Sequence, residues 1–123
     1  MPNDVLVIED EKALAELVRI NLSLRGVSVI TAGTGEEGLE LAYSEHPRLI
    51  LLDVRLPDLD GWEICRELKK KTTDHWMPAI VFLTAATQKT DREKAKEAGG
   101  DGFLEKPFEI TDLVGTVKQF LQK

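Results

Sequence analysis

Four apolar residues in succession, Leu49-Ile50-Leu51-Leu52, run into Asp53 and then into Leu56-Pro57-Asp58-Leu59-Asp60-Gly61. An unbroken run of this kind reads as a strand buried on both faces, which occurs mainly in parallel sheets covered by helices. Pro, Asp and Gly break the backbone into a loop directly afterwards. Asp53 is therefore expected at the C-terminal tip of a buried strand, where open α/β sheets place their ligands. Taken alone, an acid there is equally consistent with a turn cap.

The rest of the chain repeats the pattern. Val5-Leu6-Val7-Ile8 finishes on Glu9-Asp10, and Ile80-Val81-Phe82-Leu83 finishes on Thr84. Val27 to Thr31 and Phe103-Leu104-Glu105 supply two shorter strands, the second ending at Lys106-Pro107. Helical patterns separate them. Glu11 to Arg25 carries Leu14, Leu17, Val18, Asn21 and Leu24 along one face and closes on Gly26. Thr34 with Glu37 forms a capping box for a helix ending before Pro47. Asp60 caps a helix with Ile64, Cys65 and Leu68 inward. Thr87 to Ala98 is a polar helix stopped by Gly99-Gly100, and the last helix shows Leu113, Val114, Val117, Phe120 and Leu121. Strand and helix alternate five times, which predicts an α/β fold: one doubly wound, five-stranded parallel sheet of order 2-1-3-4-5 with five helices on both faces. Residues 1–123 are expected to form one domain, since that length is usual for a single core and 42% of the residues are apolar.

Several functions are disfavoured by composition. There is no run of 18 apolar residues and no basic, apolar leader pattern at the N-terminus, so a soluble, cytoplasmic protein without membrane contact is expected. A net charge of −6 argues against direct nucleic-acid binding. The one basic cluster, Lys69-Lys70-Lys71, reads as a solvated helix end. The single cysteine, Cys65, excludes an internal disulfide and a multi-cysteine zinc site, and is expected to pack in the core. His46 and His75 lie in polar, loop-like contexts and are not read as site residues.

In a sheet of order 2-1-3-4-5, the C-terminal ends of strands one, three, four and five are neighbours. Those ends bring Glu9, Asp10, Asp53, Thr84 and Lys106 to one crevice. Three crowded carboxylates repel unless a cation is present, and hard oxygen donors suit Mg²⁺. A metal beside a carboxylate, a hydroxyl donor and an ammonium makes a clamp for a phosphoryl group. Asp53 is the nucleophile of such a clamp, giving an acyl phosphate, while Lys106 neutralises phosphoryl oxygens and Thr84 donates a hydrogen bond. No base is needed, because a carboxylate is ionised at neutral pH.

These motifs, Val7-Ile8-Glu9-Asp10, Leu51-Leu52-Asp53 with Leu56-Pro57-Asp58-Leu59-Asp60-Gly61, Leu83-Thr84-Ala85 and Phe103-Leu104-Glu105-Lys106-Pro107-Phe108, closely resemble the receiver domain of two-component response regulators. The likeness extends over essentially the whole chain. It implies a flavodoxin-like fold and phosphorylation of Asp53 by a histidine kinase or a histidine phosphotransfer protein, with the result read by an output domain or target protein. It further implies direct Mg²⁺ ligation by Asp10, Asp53 and the backbone carbonyl of Arg55, with Glu9 acting through water. The family's Lys-Pro bond is cis, which maps onto Lys106-Pro107, and its switch pair maps onto Thr84 and Phe103. Such a domain is a signalling phosphoacceptor, not an enzyme that turns over a separate substrate.

Glu9 stands where many receivers have Asp, keeping the charge. Phe103 stands where many have Tyr, so its ring has no hydroxyl to donate. No output domain follows within the 123 residues, as expected of a stand-alone receiver or of one cut from a larger protein. Two other readings carry over: a pseudo-receiver that binds partners without phosphorylation, and a haloacid-dehalogenase-like phosphatase. The latter expects an Asp-x-Asp nucleophile on its first strand, which Asp53-Val54-Arg55 does not match.

Overall fold

The computed structural model describes residues 4–85 and 89–122, with side chains 89–91 excepted. Its elements run β1 (Val5–Ile8), α1 (Lys12–Ser23), β2 (Val29–Ala32), α2 (Gly35–Glu45), β3 (Leu49–Asp53), α3 (Gly61–Lys70), β4 (Ala79–Thr84), α4 (Lys89–Glu97), β5 (Gly102–Glu105) and α5 (Ile110–Leu121). The sheet order is β2-β1-β3-β4-β5 and every pairing is parallel, as the alternation predicts.

Successive strand residues point to opposite faces, so each apolar run feeds two cores at once. Leu6, Ile8, Ile50, Leu52, Ile80 and Phe82 face α2, α3 and α4, where Ala42, Ile64, Cys65, Leu68, Ala95 and Ala98 cover them. Val5, Val7, Leu49, Leu51, Val81 and Leu83 face the other way, against Val18 and Leu22 of α1 and Leu113 and Val117 of α5. Every residue of β3 is buried, Asp53 included. That is the physical content of an apolar run with no alternation.

The face of α1 differs from the expected stripe. Ala15, Val18 and Leu22 are buried, whereas Leu17 is 46% and Leu24 77% exposed. Val18 is buried and Leu14 packs against the core as expected, but Ala15 and Leu22 complete the inward face in place of Leu17 and Leu24. Gly26, at φ +80, turns the chain after α1 in the left-handed region that glycine adopts without strain. The start expected for α4 at Thr87 falls outside the described residues.

The N-terminal pole of the sheet is closed by side chains that act at a distance. Trp76 donates from Nε1 to the Pro47 carbonyl at 2.8 Å and stacks on His46, with ring centroids 4.6 Å apart. His46 itself ends α2 at φ +46. Lys69 is not a solvated helix end: its ammonium pairs with Asp101 at 2.8 Å, and the same carboxylate accepts the Ile80 N–H at 2.8 Å. Cys65 is buried in the core as expected, its thiol donating to the Ala98 carbonyl and held up at a pKa of about 11 by that burial.

Candidate functional site

At the opposite pole, β1, β3, β4 and β5 end side by side. Strand β1 delivers Glu9, which is 2% exposed, and the turn that follows exposes Asp10. Strand β3 ends on Asp53, 5% exposed, and β4 ends on Thr84, 3% exposed. Carboxylate oxygens of Glu9, Asp10 and Asp53 lie within 4.8 Å of one another. Lys106, one residue beyond β5, extends its ammonium to 2.6 Å from Glu9 and 3.5 Å from Asp53. Its backbone N–H donates to the Thr84 carbonyl at 2.7 Å, which fastens the ends of β4 and β5 together. The Lys106–Pro107 peptide is cis.

Glu9 is the most constrained of the acids. Burial pushes its carboxyl up to about 7, against the pull of the Lys106 ammonium and of the Glu11 N–H that donates to it at 3.1 Å. Burial pulls Lys106 the other way, yet the Glu9 carboxylate holds its ammonium above the ordinary lysine value. Among the described residues, the Lys106 ammonium reaches Glu9 and Asp53 of this three-carboxylate cluster, so the cluster is short of positive charge. The donor set is all oxygen, small and hard, which fits a divalent ion such as Mg²⁺.

The loop after Asp53 is folded back over the strand. The Arg55 N–H donates to Asp53 Oδ1 at 3.1 Å, and Gly61 donates to the Val54 carbonyl at 3.0 Å. A Cβ on Gly61 would sit 2.6 Å from both the Asp53 carbonyl oxygen and the Val54 Cα, so only glycine permits this approach. Asp60 caps α3 as expected, accepting the Trp62 N–H at 2.8 Å. The Arg55 side chain is exposed and makes no ion pair among the described residues. Phe103 is half-buried on β5 and lies beneath the Arg92 guanidinium.

One contributor was missed in the sequence. Asp58 sits in the loop after Asp53, yet its carboxylate accepts the N–H groups of Gly35 at 2.8 Å and Glu36 at 3.0 Å, capping α2 from a distance. Thr34 caps the same helix by accepting from Glu37, while the Glu37 carboxylate reaches back to Gly33. No spacing rule announces a cap whose partners lie 23 and 22 residues away.

Solved structures share this architecture. The chemotaxis protein CheY4 of Vibrio cholerae superposes with a TM-score of 0.89 at 27% identity, covering 98% of this chain and 99% of that one. A two-component response regulator from Clostridium difficile gives 0.90 at 29% identity, covering 98% and 97%. The receiver domain of a Pseudomonas aeruginosa sensor histidine kinase, which holds a magnesium ion in its active-site cleft, gives 0.87 at 27% identity over 100% of both chains. The family model of the response regulator receiver domain matches residues 5–118, and with that match over nearly all of its length the chain belongs to the response regulator receiver domain family.

Proposed function

We propose that this chain is a Mg²⁺-dependent phosphoacceptor that takes a phosphoryl group onto Asp53 from a phosphohistidine of a histidine kinase or phosphotransfer protein. The observation that carries the reading is the meeting of Glu9, Asp10 and Asp53 within 4.8 Å beside the Lys106 ammonium. Asp53 Oδ1 accepts one backbone N–H and Oδ2 faces Lys106 at 3.5 Å, so lone pairs remain on both oxygens for attack on phosphorus. In the transfer an Asp53 oxygen bonds to phosphorus as the phosphorus–nitrogen bond to the donor imidazole breaks. Asp10, Asp53 and the Arg55 carbonyl would hold the metal, with Glu9 behind them through water. Bound there, Mg²⁺ would neutralise charge on the phosphoryl oxygens. Lys106 adds a second positive charge, and Thr84, at the end of β4, donates to the phosphoryl group and couples it to Phe103. The reaction is a single transfer followed by hydrolysis, with no separate substrate turned over.

The reading extends to one cytoplasmic domain over residues 1–123, whose altered surface is read by an output domain or target protein. No helix among the described residues is long and apolar enough to cross a membrane. Incubation with a small acyl-phosphate donor and Mg²⁺ should add one phosphoryl group. Asp53→Asn or a chelator should abolish the addition, and labelling undiminished by either would overturn the proposal.

A further inference from the structure

Helices α2 and α3 lie side by side on one face of the sheet, and a furrow runs between them. It holds three depressions of about 450, 240 and 500 Å³ that share Leu39, Leu59, Tyr43 and Glu67 among their linings. Its floor is apolar and open to solvent, with Leu59 39% and Tyr43 37% exposed. One bond crosses the furrow: the Tyr43 hydroxyl donates to the Glu67 carboxylate at 2.7 Å.

Charge is distributed along the furrow with opposite signs at its two ends. Within the furrow Arg66 pairs with Glu63, Glu67 accepts from Tyr43 and Asp58 is held by the Gly35 and Glu36 N–H groups, which leaves Glu36 and Glu40 toward the helix N-termini and Lys70 and Lys71 toward the C-terminus of α3. Glu36, Glu40, Lys70 and Lys71 are exposed, and none makes an ion pair among the described residues. Glu40 precedes Tyr43 by three residues and Lys70 follows Glu67 by three. At about 1.5 Å of rise per residue, Glu40 stands about 4.5 Å before Tyr43 along the α2 axis and Lys70 about 4.5 Å beyond Glu67 along the α3 axis, toward opposite ends of the furrow.

A surface whose unpaired charges change sign about a midpoint is complementary to itself across a two-fold axis, because an isologous contact can bring each patch against the other end of its copy. A partner of one charge would be matched at one end only. We infer that the α2–α3 furrow docks a second copy of this chain, with the axis passing near the Tyr43–Glu67 bond and Glu40 of each protomer facing Lys70 of the other. Leu39, Leu59 and Tyr43 form the apolar centre, and the charges form a rim that fixes orientation. The net charge of −6 opposes any contact between copies, so the matched ends are also what permits approach. This contact goes beyond the phosphoacceptor reading and uses none of its residues.

Sedimentation equilibrium of the unphosphorylated chain, without Mg²⁺ or donor, tests the inference. From about 10 µM to 1 mM, the range in which small interfaces associate, the average mass should rise from 13.7 kDa toward twice that value. Glu40→Lys alone places lysine against Lys70, and Lys70→Glu alone places glutamate against Glu40. Each should weaken association at least about fivefold, since two contacts turn from attraction to repulsion. An equimolar mixture of the two single variants restores opposite charges at both contacts and should associate as the parent does. The Glu40→Lys/Lys70→Glu double variant should do the same. A parent that stays monomeric throughout, or association that the single reversals leave unchanged, would overturn the inference. Failure of the mixture to recover would overturn the two-fold geometry.

Discussion

The guanidinium carbon of Arg92 lies 5.0 Å from the ring centroid of Phe103, so a cation from α4 covers one face of the aromatic side chain on β5. Contacts of this kind contribute about 0.5–1 kcal/mol where they are exposed. Phe103 lacks a hydroxyl, so its position depends on what covers its faces. If the phosphoryl group draws Thr84 and Phe103 inward, the Arg92 contact is one the ring must leave, and Arg92 therefore favours the resting state. Replacing it with glutamine should raise the inward population of Phe103 about two- to fivefold in the unphosphorylated chain, the factor that 0.5–1 kcal/mol implies. Aromatic NMR shifts of Phe103 report this directly, and identical ring shifts in parent and Arg92→Gln would remove Arg92 from the account.

Asp58 joins the loop that follows Asp53 to the start of α2. The N–H groups of Glu36 and Gly35 hold its carboxyl below the ordinary aspartate value. The folded state thus prefers the ionised form, so its contribution is present above the unfolded value of about 3.9 and is lost as pH falls through the folded value below it. Asp58→Ala should melt below the parent at pH 7, and the gap should narrow as pH falls from about 5 to 3. Thermal unfolding of both proteins across that range is the measurement. A gap that stays constant would assign the effect to backbone or packing rather than to charge.

The strands were legible because their signal is local. Leu49 to Leu52 and Val5 to Ile8 are apolar at every position, and in strands of this length that pattern matches burial on both faces. The polar residue ending each run marked the crevice for the same reason, since sheet order alone brings those ends together. The inward face of α1 was legible in part: Leu14 and Val18 of the expected stripe pack on the sheet, but Ala15 and Leu22 complete that face while Leu17 and Leu24 turn to solvent, a choice that only packing makes. Lys69 was hidden among three lysines, its partner Asp101 being 32 residues away. Asp58 and Arg92 escaped notice similarly, because each acts on an element that the sequence sets apart from its own.

Arg55 follows Asp53 by two residues, and its backbone and side chain have separate tasks. The backbone is committed: the N–H donates to Asp53 Oδ1, and Arg55 bridges Asp60 across the loop. The side chain is exposed and has no carboxylate partner among the described residues. A phosphoryl group on Asp53 would bring nearly two negative charges beside it. Guanidinium is suited to phosphate by its planar, two-pronged donor geometry, and a pair formed there would stand in the path of the water that hydrolyses the acyl phosphate. Arg55→Ala should therefore lose its phosphoryl group faster than the parent, by about three- to tenfold if the lost contact is worth roughly 0.7–1.4 kcal/mol, within the range for exposed to partly buried charge pairs. Its Mg²⁺ requirement should stay unchanged, because the side chain is not a ligand. Decay of the phosphorylated form after donor removal, followed by mass spectrometry, distinguishes the outcomes. An equal or slower loss in the variant would leave the Arg55 side chain a bystander in solvent.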